Sequence, residues 1–215
     1  MKPYYDRDGI TIFHARCEDV LPSIDPADVG LLLTDPPYGI NLDTDYSGRM
    51  HKSDKGQTWA RRVDNDELPF DPSLMMAYGR VALFGANYYT DVLPVGAWLV
   101  WRKRGVSPVL SDCEMAWHNC GGKRVSYFES AHVNTTAREG KLHPTQKPSS
   151  LMRWIVDRYT EPGDLVLDPY MGSGPVAQAC HELGRRYVGI ELVEEYCAVA
   201  VKRLSQQTLD FGGAA

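Results

Sequence analysis

The 215-residue sequence has no run of 18 apolar residues, so no segment is expected to cross a membrane. Its first residues, Met-Lys-Pro-Tyr-Tyr-Asp-Arg-Asp-Gly, lack the basic stretch and apolar core of a signal peptide. A soluble cytosolic protein is the expectation. No C-x-x-C occurs, and the cysteines (Cys17, Cys113, Cys120, Cys180 and Cys197) are odd in number and widely spaced. That excludes a disulfide framework and fits a reducing compartment. Cys113, His118, Cys120 and His132 match no standard zinc spacing, so no metal is expected and packed or surface residues near a loop account for them. An excess of positive charge is also missing: 23 Lys and Arg stand against 28 Asp and Glu, a net charge of −5. This excludes a histone-like coat on nucleic acid but not an enzyme with a local basic groove. Candidate cations come in groups, Arg61–Arg62, Arg102–Arg104, Lys123–Arg124 and Arg185–Arg186, which sequence alone does not place on one face. There is no internal repeat, and no low-complexity tract beyond the terminal Gly-Gly-Ala-Ala.

What is present is ordinary globular composition, 43% hydrophobic and 24% charged, at a length that suits one domain or one domain with a modest insertion. Gly9 to His14 reads as a short strand, followed by a short acidic helix ending near Pro22. Val29 to Thr34 is an apolar run stopped by Asp-Pro-Pro, the pattern of a strand buried on both faces. Residues 41–69 are polar, rich in Asp, and too long for a structureless connection without a purpose. Arg80 to Gly85 and Ala97 to Trp101 read as strands, with Asn87 as the cap of a short helix that stops before Pro94. Residues 105–146 are mixed and offer room for a strand pair. Ser149 to Tyr159 has helical periodicity, Leu165 to Leu167 is a strand, Gly174 to Leu183 a helix, Tyr187 to Ile190 a strand and Val193 to Leu204 a final helix. Such alternation predicts a doubly wound α/β sheet.

Within 165–191 the strand ends at Asp168, then Gly172-Ser173-Gly174 makes a turn, and Pro175 occupies the first helical turn, where its missing N–H costs nothing. Glycines there let backbone pass close to a ligand at the carboxyl end of a strand. The next strand ends at Glu191, where nucleoside-binding α/β units carry an acid for ribose hydroxyls. Two glycines alone are also what a structural turn needs. The full G-x-G-x-x-G fingerprint is missing, and no P-loop lysine follows, which disfavours a triphosphate.

Residues 30–39, Gly-Leu-Leu-Leu-Thr-Asp-Pro-Pro-Tyr-Gly, are the most specific stretch. Asp35 stands at the carboxyl end of a strand. Pro36 and Pro37 remove two donors and stiffen the chain while keeping their carbonyls. Tyr38 offers an aromatic face. An exocyclic amine on a base is a poor nucleophile because its lone pair is conjugated into the ring. Acceptors at both its hydrogens, Asp35 and the Pro36 carbonyl, would favour a pyramidal nitrogen. Tyr38 would stack on a base that has left the duplex. Catalysis would then be orientation and electrostatics, without a covalent intermediate. A rigid turn with a packed tyrosine is the alternative for this stretch taken alone.

The order Thr-Asp-Pro-Pro-Tyr-Gly, then His-Pro-Thr-Gln-Lys-Pro at 143–148, then Leu-Asp-Pro-Tyr-Met-Gly-Ser-Gly at 167–174 resembles the DNA amino-methyltransferases that act on adenine N6 or cytosine N4. It is most similar to their beta group, in which the catalytic motif precedes the cofactor motif. The likeness covers about residues 9–205, and the chain looks like a short, phage- or prophage-like member. The resemblance implies a Rossmann-like α/β fold: a mostly parallel seven-stranded sheet with an antiparallel edge hairpin, binding S-adenosylmethionine across the switch point. It places Asp35, Pro36, Pro37 and Tyr38 at the target amine, with Asp35 also near the methionine end of the cofactor. Thr145, Gln146 and Lys147 fall in the segment near the cofactor's amino-acid moiety. Asp168, Tyr170, Gly172, Ser173 and Gly174 form the cofactor loop, and Glu191 is the ribose-binding acid. The helix starting at Ser149 presents an N-terminus suited to a carboxylate. The sequence departs from the family pattern at Tyr170, usually Phe, and at Pro175, usually Thr. The second change removes a possible hydroxyl contact to the cofactor.

A single catalytic domain over 1–215 leaves little room for a separate recognition domain. DNA contacts are therefore expected from 41–69, from 105–142, or from the second subunit of a homodimer. Asp at the head of the tetrapeptide is typical of adenine-specific relatives, so site-specific N6-adenine methylation of DNA is the expected activity, in a cytoplasmic enzyme of bacterial or phage origin. N4-cytosine methylation is the alternative; a catalytically silent DNA- or cofactor-binding subunit is a further one, against which the intact tetrapeptide speaks. Asn-Pro-Pro-Tyr enzymes acting on glutamine or RNA usually place the cofactor motif first, and a nicotinamide dehydrogenase would need the missing phosphate fingerprint.

Overall fold

In a computed structural model, residues 1–42, 65–104, 111–131 and 146–210 are described, with side chains as far as Ser205. The short apolar runs become the middle of a sheet. Strand β3 (Leu31–Thr34) is buried at all four positions because it lies between two parallel neighbours, β4 (Val81–Phe84) and β8 (Leu165–Asp168). A strand covered on both faces has no polar side to alternate with. Beyond β8 come β9 (Arg186–Glu191) and β2 (Ile10–His14), also parallel. Beyond β4 the direction reverses at β6 (Cys113–His118) and again at β5 (Ala97–Arg104).

These seven strands are the expected mostly parallel sheet, with β5 and β6 as its antiparallel hairpin. Among the described residues two edge strands extend it to nine. Strand β1 (Tyr5–Arg7) folds back on β2 through Asp8 and Gly9, both at positive φ (52° and 76°), the conformation of a tight two-residue hairpin turn. Strand β7 (Val125–Ala131) pairs parallel to β5 at the other edge. The two strands expected within 105–146 thus do not pair with each other; β5 lies between them. Nor does Asn87 cap a helix. It sits inside a single 3-10 turn, Ala86–Tyr88, entered through a left-handed Gly85, and a second such turn, Thr90–Val92, follows.

Successive residues of β3 feed two cores. Leu31 and Leu33 join Ala82, Phe84, Leu99 and Trp101 under the helices α2 (Ser149–Tyr159) and α3 (Pro175–Leu183). Leu32 joins Val81, Leu83 and Trp117 on the opposite face, covered by Cys17 and Val20 of α1 (Cys17–Val20) and by Met75 and Tyr78. The last helix, α4 (Glu194–Asp210), packs Cys197 and Ala200 into the first core. The chain leaves β3 towards β4 but leaves β8 towards β9. The crevice at the carboxyl ends of β3 and β8 is therefore the topological switch point, where open α/β sheets bind ligands.

Candidate active site

Asp35 leaves β3 at this crevice, and both its carboxylate oxygens are engaged. The Tyr38 hydroxyl donates to Oδ1 at 2.5 Å, and the Lys147 ammonium donates to Oδ2 at 2.5 Å. Pro36 and Pro37 bring Tyr38 back over Asp35, and the ring fits because residue 85 is glycine. A Cβ there would overlap the Tyr38 ring, and the positive φ of 66° suits only glycine well. The Tyr38 ring stacks on Tyr88 at a centroid distance of 5.4 Å and an interplanar angle of 19°; Tyr88 is 52% exposed. Burial raises the Asp35 carboxyl above its ordinary range, opposed by Lys147; burial and the Asp35 charge keep the Tyr38 phenol well above its own.

Lys147 is the centre of a chain of alternating charge. Only 4% of its side chain is exposed, and its Nζ lies 3.1 Å from Glu114 Oε2 as well as 2.5 Å from Asp35. Glu114 Oε1 in turn holds Lys103 Nζ at 2.6 Å. The ammonium of Lys147 also stands 5.3 Å from the Phe84 ring centroid. Burial alone would raise the Glu114 carboxyl, but Lys147 and Lys103 outweigh it and bring it down to about 2. Burial would lower the Lys147 ammonium, and the two carboxylates reverse that.

The second loop is organised by its backbone. Gly172 N donates to Glu191 Oε2 and Val193 N to Glu191 Oε1, each at 2.8 Å, so Glu191 ties the glycine turn to the entry of α4. Gly172 and Gly174 have φ of 55° and 76°, and a Cβ at Gly174 would stand 2.7 Å from Ala200 Cβ. Asp168 is buried and accepts from the Thr34 hydroxyl at 2.7 Å, the Tyr187 hydroxyl at 3.2 Å and Tyr170 N at 3.3 Å. It joins the ends of β3 and β8 to Tyr187 in the first half of β9, and burial pushes its carboxyl up to about 7. The Ser173 hydroxyl donates to Gln146 Oε1 at 3.3 Å, drawing the segment before α2 against the turn.

These loops enclose a cavity of about 450 Å³, within the usual range for a small-molecule site. Asp35, Pro36, Pro37 and Tyr38 line one part of it, Tyr170, Gly172 and Glu191 another, with Phe70, Met75 and Val193 as apolar wall. A smaller cavity of about 40 Å³ lies beside it, lined by Asp35, Gln146, Lys147, Asp168, Tyr170, Gly172 and Ser173 at the start of α2. Asp35, Tyr170 and Gly172 border both. An acid for a sugar diol, an apolar and aromatic wall, and a polar annex at a helix start form a donor set that fits a nucleoside carrying an amino-acid chain. Of the expected site residues, Gly174 borders neither cavity, and Thr145 lies outside the described residues.

Three participants were not assigned to this site from sequence, Lys103 having figured only within the cation group Arg102–Arg104. Glu114 and Lys103 extend the charge chain. Asp66, 3% exposed, accepts from Gly39 N at 2.8 Å and Leu42 N at 2.6 Å, holding the chain just after Tyr38. A signal existed for Lys103: the period-2 pattern of β5 puts it on the face of Leu99 and Trp101, where a lysine needs an anion. Among the described residues there is no metal-binding cluster and no helix long and apolar enough to cross a membrane.

The fold agrees with comparison to known proteins. The chain is 24% identical to the type II methyltransferase M2.DpnII of Streptococcus pneumoniae, over 96% of this chain and 93% of that one. It is 28% identical to the putative methylase YubD of Escherichia coli K12, over 92% of each. Among solved structures it is similar to the M1.HpyAVI–SAM complex, with 25% identity and a TM-score of 0.60 over 90% of this chain and 99% of that one. The PvuII cytosine-N4-specific DNA methyltransferase shares the fold at 15% identity and a TM-score of 0.65. Residues 94–202, more than half of the chain and including Glu114, Lys147, the glycine turn and Glu191, match the N6/N4 DNA methylase family, and the protein belongs to that family.

Proposed function

We propose that the chain is an S-adenosylmethionine-dependent methyltransferase that methylates the exocyclic N6 of adenine in DNA. The observation that carries this is the placement of Asp35 at the switch point, shared by the two cavities, with its carboxylate facing side-chain donors rather than backbone. The M1.HpyAVI relative, known as a SAM complex, supports the choice of cofactor. Asp rather than Ser at the head of the tetrapeptide supports adenine over cytosine.

The chain's own residues would act as follows. Glu191 accepts from the ribose hydroxyls while keeping the glycine turn in place. Phe70, Met75 and Val193 exclude water from the cofactor's ring. Gln146, Ser173 and the start of α2 receive the amino-acid end, whose carboxylate a helix N-terminus favours. Asp35 and the Pro36 carbonyl accept hydrogens from the target amine and so orient its lone pair. Tyr38 stacks on the base once it has left the duplex. When bound, the cofactor would supply an electrophilic methyl group on positively charged sulfur, and the amine oriented by Asp35 and the Pro36 carbonyl would accept it, releasing one N–H proton to solvent. Residues 41–69, of which 43–64 lie outside the described residues, would contribute DNA contacts, a role supported by Leu42, Asn65, Leu68 and Pro69 at the wall of the large cavity.

The test is transfer of labelled methyl from S-adenosylmethionine to unmethylated duplex DNA, followed by nucleoside analysis. N6-methyladenosine is the expected product. N4-methylcytidine would replace the base assignment, and no incorporation despite cofactor binding would overturn the proposed activity.

A further inference from the structure

Both oxygens of Asp35 already hold donors and each keeps acceptor capacity, but an amine hydrogen that takes the position on Oδ2 has to take it from the Lys147 ammonium. Tyr38 belongs to the same tetrapeptide and moves with it. Lys147 comes from the far side of the crevice, and its ammonium occupies Oδ2 as an amine hydrogen would. A buried ammonium cannot simply let go. Moving it into an unpaired position carries a desolvation cost that would keep it on Asp35.

We propose that Glu114 is a positioning residue that receives the Lys147 ammonium when the target amine takes its place on Asp35. This rests on the reading of Asp35 as the amine acceptor. Glu114 Oε2 is already 3.1 Å from Lys147 Nζ, so the transfer needs a change of partner rather than a journey. The other oxygen of Glu114 is fixed by Lys103, itself only 8% exposed, which keeps Glu114 from following the lysine towards Asp35. The four side chains are neutral as a set before and after the exchange, so no net charge is buried or released. Register supports the rigidity of this receiver. Glu114 pairs with Trp101 across β5 and β6, two residues from Lys103, and β7 flanks β5 on its other side. Without Glu114, Lys147 has Asp35 as its carboxylate partner and competes with the substrate.

The test compares Glu114→Gln, Lys147→Met and the double variant, assayed at alkaline pH so that Asp35 is ionised throughout. Single-turnover methyl transfer to unmethylated duplex DNA is measured beside S-adenosylmethionine affinity and thermal melting. Glu114→Gln should slow transfer by about tenfold, the scale of one coupled charge contact, with cofactor affinity little changed. Glu114→Asp should recover part of the rate. In the Lys147→Met background the Glu114 substitution should have no effect on rate, because no ammonium has to be received. An equal loss in both backgrounds, or a loss that tracks melting and cofactor affinity, would reduce Glu114 to a structural residue and overturn the proposal. An unchanged rate for Glu114→Gln beside an active wild type overturns it as well and leaves the proposed function standing. A wild type that binds cofactor but methylates no DNA overturns both.

Discussion

Asp35 and Glu191 make an informative pair. Each carboxylate stands at the carboxyl end of a parallel strand, each lines the large cavity, and each has donors on both oxygens. The donors differ in kind. Those on Asp35 are a phenol and an ammonium at the ends of side chains, which rotate away without disturbing the sheet. Those on Glu191 are backbone N–H groups of Gly172 and Val193, which cannot leave unless the loops move. A carboxylate accepts at up to about four positions, so two backbone bonds do not by themselves exhaust Glu191. It organises its loop and can still receive hydroxyls. Asp35 exchanges partners, whereas Glu191 adds them.

Substitution of the two carboxylates should separate along that line. Asp35→Ala is expected to have the largest effect, a loss of methyl transfer on the order of 10²–10³-fold or more, as for removal of a preorganised polar group at a reacting centre. Melting temperature should fall, because Lys147 loses one of its two carboxylates and keeps Glu114 alone, but the loss of transfer should persist at saturating cofactor and below the melting transition. Radiolabel transfer with parallel calorimetry checks this, and turnover retained within a few-fold would remove Asp35 from the chemistry. Glu191→Ala should instead weaken S-adenosylmethionine binding by about 10- to 100-fold and lower the melting temperature, since two partly buried N–H groups lose their acceptor, at up to roughly 1–3 kcal/mol each. At saturating cofactor its rate should come close to that of the wild type. A rate loss that saturation does not repair would break the contrast.

Asp66 tests whether backbone anchoring also serves the catalytic side. It holds Gly39 and Leu42 as Glu191 holds Gly172 and Val193. Asp66→Ala should release the chain beyond Tyr38 and reduce transfer by about tenfold, the scale of losing one or two hydrogen bonds to a charged group. Its main effect should be on the DNA concentration required rather than on cofactor affinity. An effect on cofactor affinity equal to that of Glu191→Ala would mean that the two loops are one unit.

What the sequence conveyed depended on distance along the chain. α2 is legible over Ser149–Tyr159 because its apolar spacing and the preceding proline are local. Asp35, the two glycines and Glu191 are legible because each stands at the end of an apolar run, and strand ends are where α/β sheets bind ligands. β1 escaped notice because three largely exposed residues carry no pattern. The ion chain was invisible for a different reason. Lys147 is 112 positions from Asp35, and Glu114 reaches them only once β6 is known to lie between β4 and β5. The motif containing Lys147 pointed to the cofactor's amino-acid end. It does border the annex, but its ammonium is on Asp35.

That double position of Lys147 leads to the smallest effect and the most diagnostic one. Burial, the leading influence, raises the Asp35 carboxyl; Lys147 pulls it back down, and Glu114 pushes it up again. In Lys147→Met the one opposing cation is gone while burial and the Glu114 charge remain, so the Asp35 carboxyl must rise further. An orienting acceptor is needed as carboxylate, and the carboxylate form is lost as pH falls. The acidic limb of the rate profile should therefore lie at higher pH in Lys147→Met than in the wild type. The two rates should approach each other under alkaline conditions and separate under mildly acidic ones. If Lys147 acted only on the cofactor's carboxylate, the substitution would raise the cofactor concentration required and leave the acidic limb where it was. A profile measured at saturating cofactor distinguishes the two, because saturation removes a binding defect and does not move a titration.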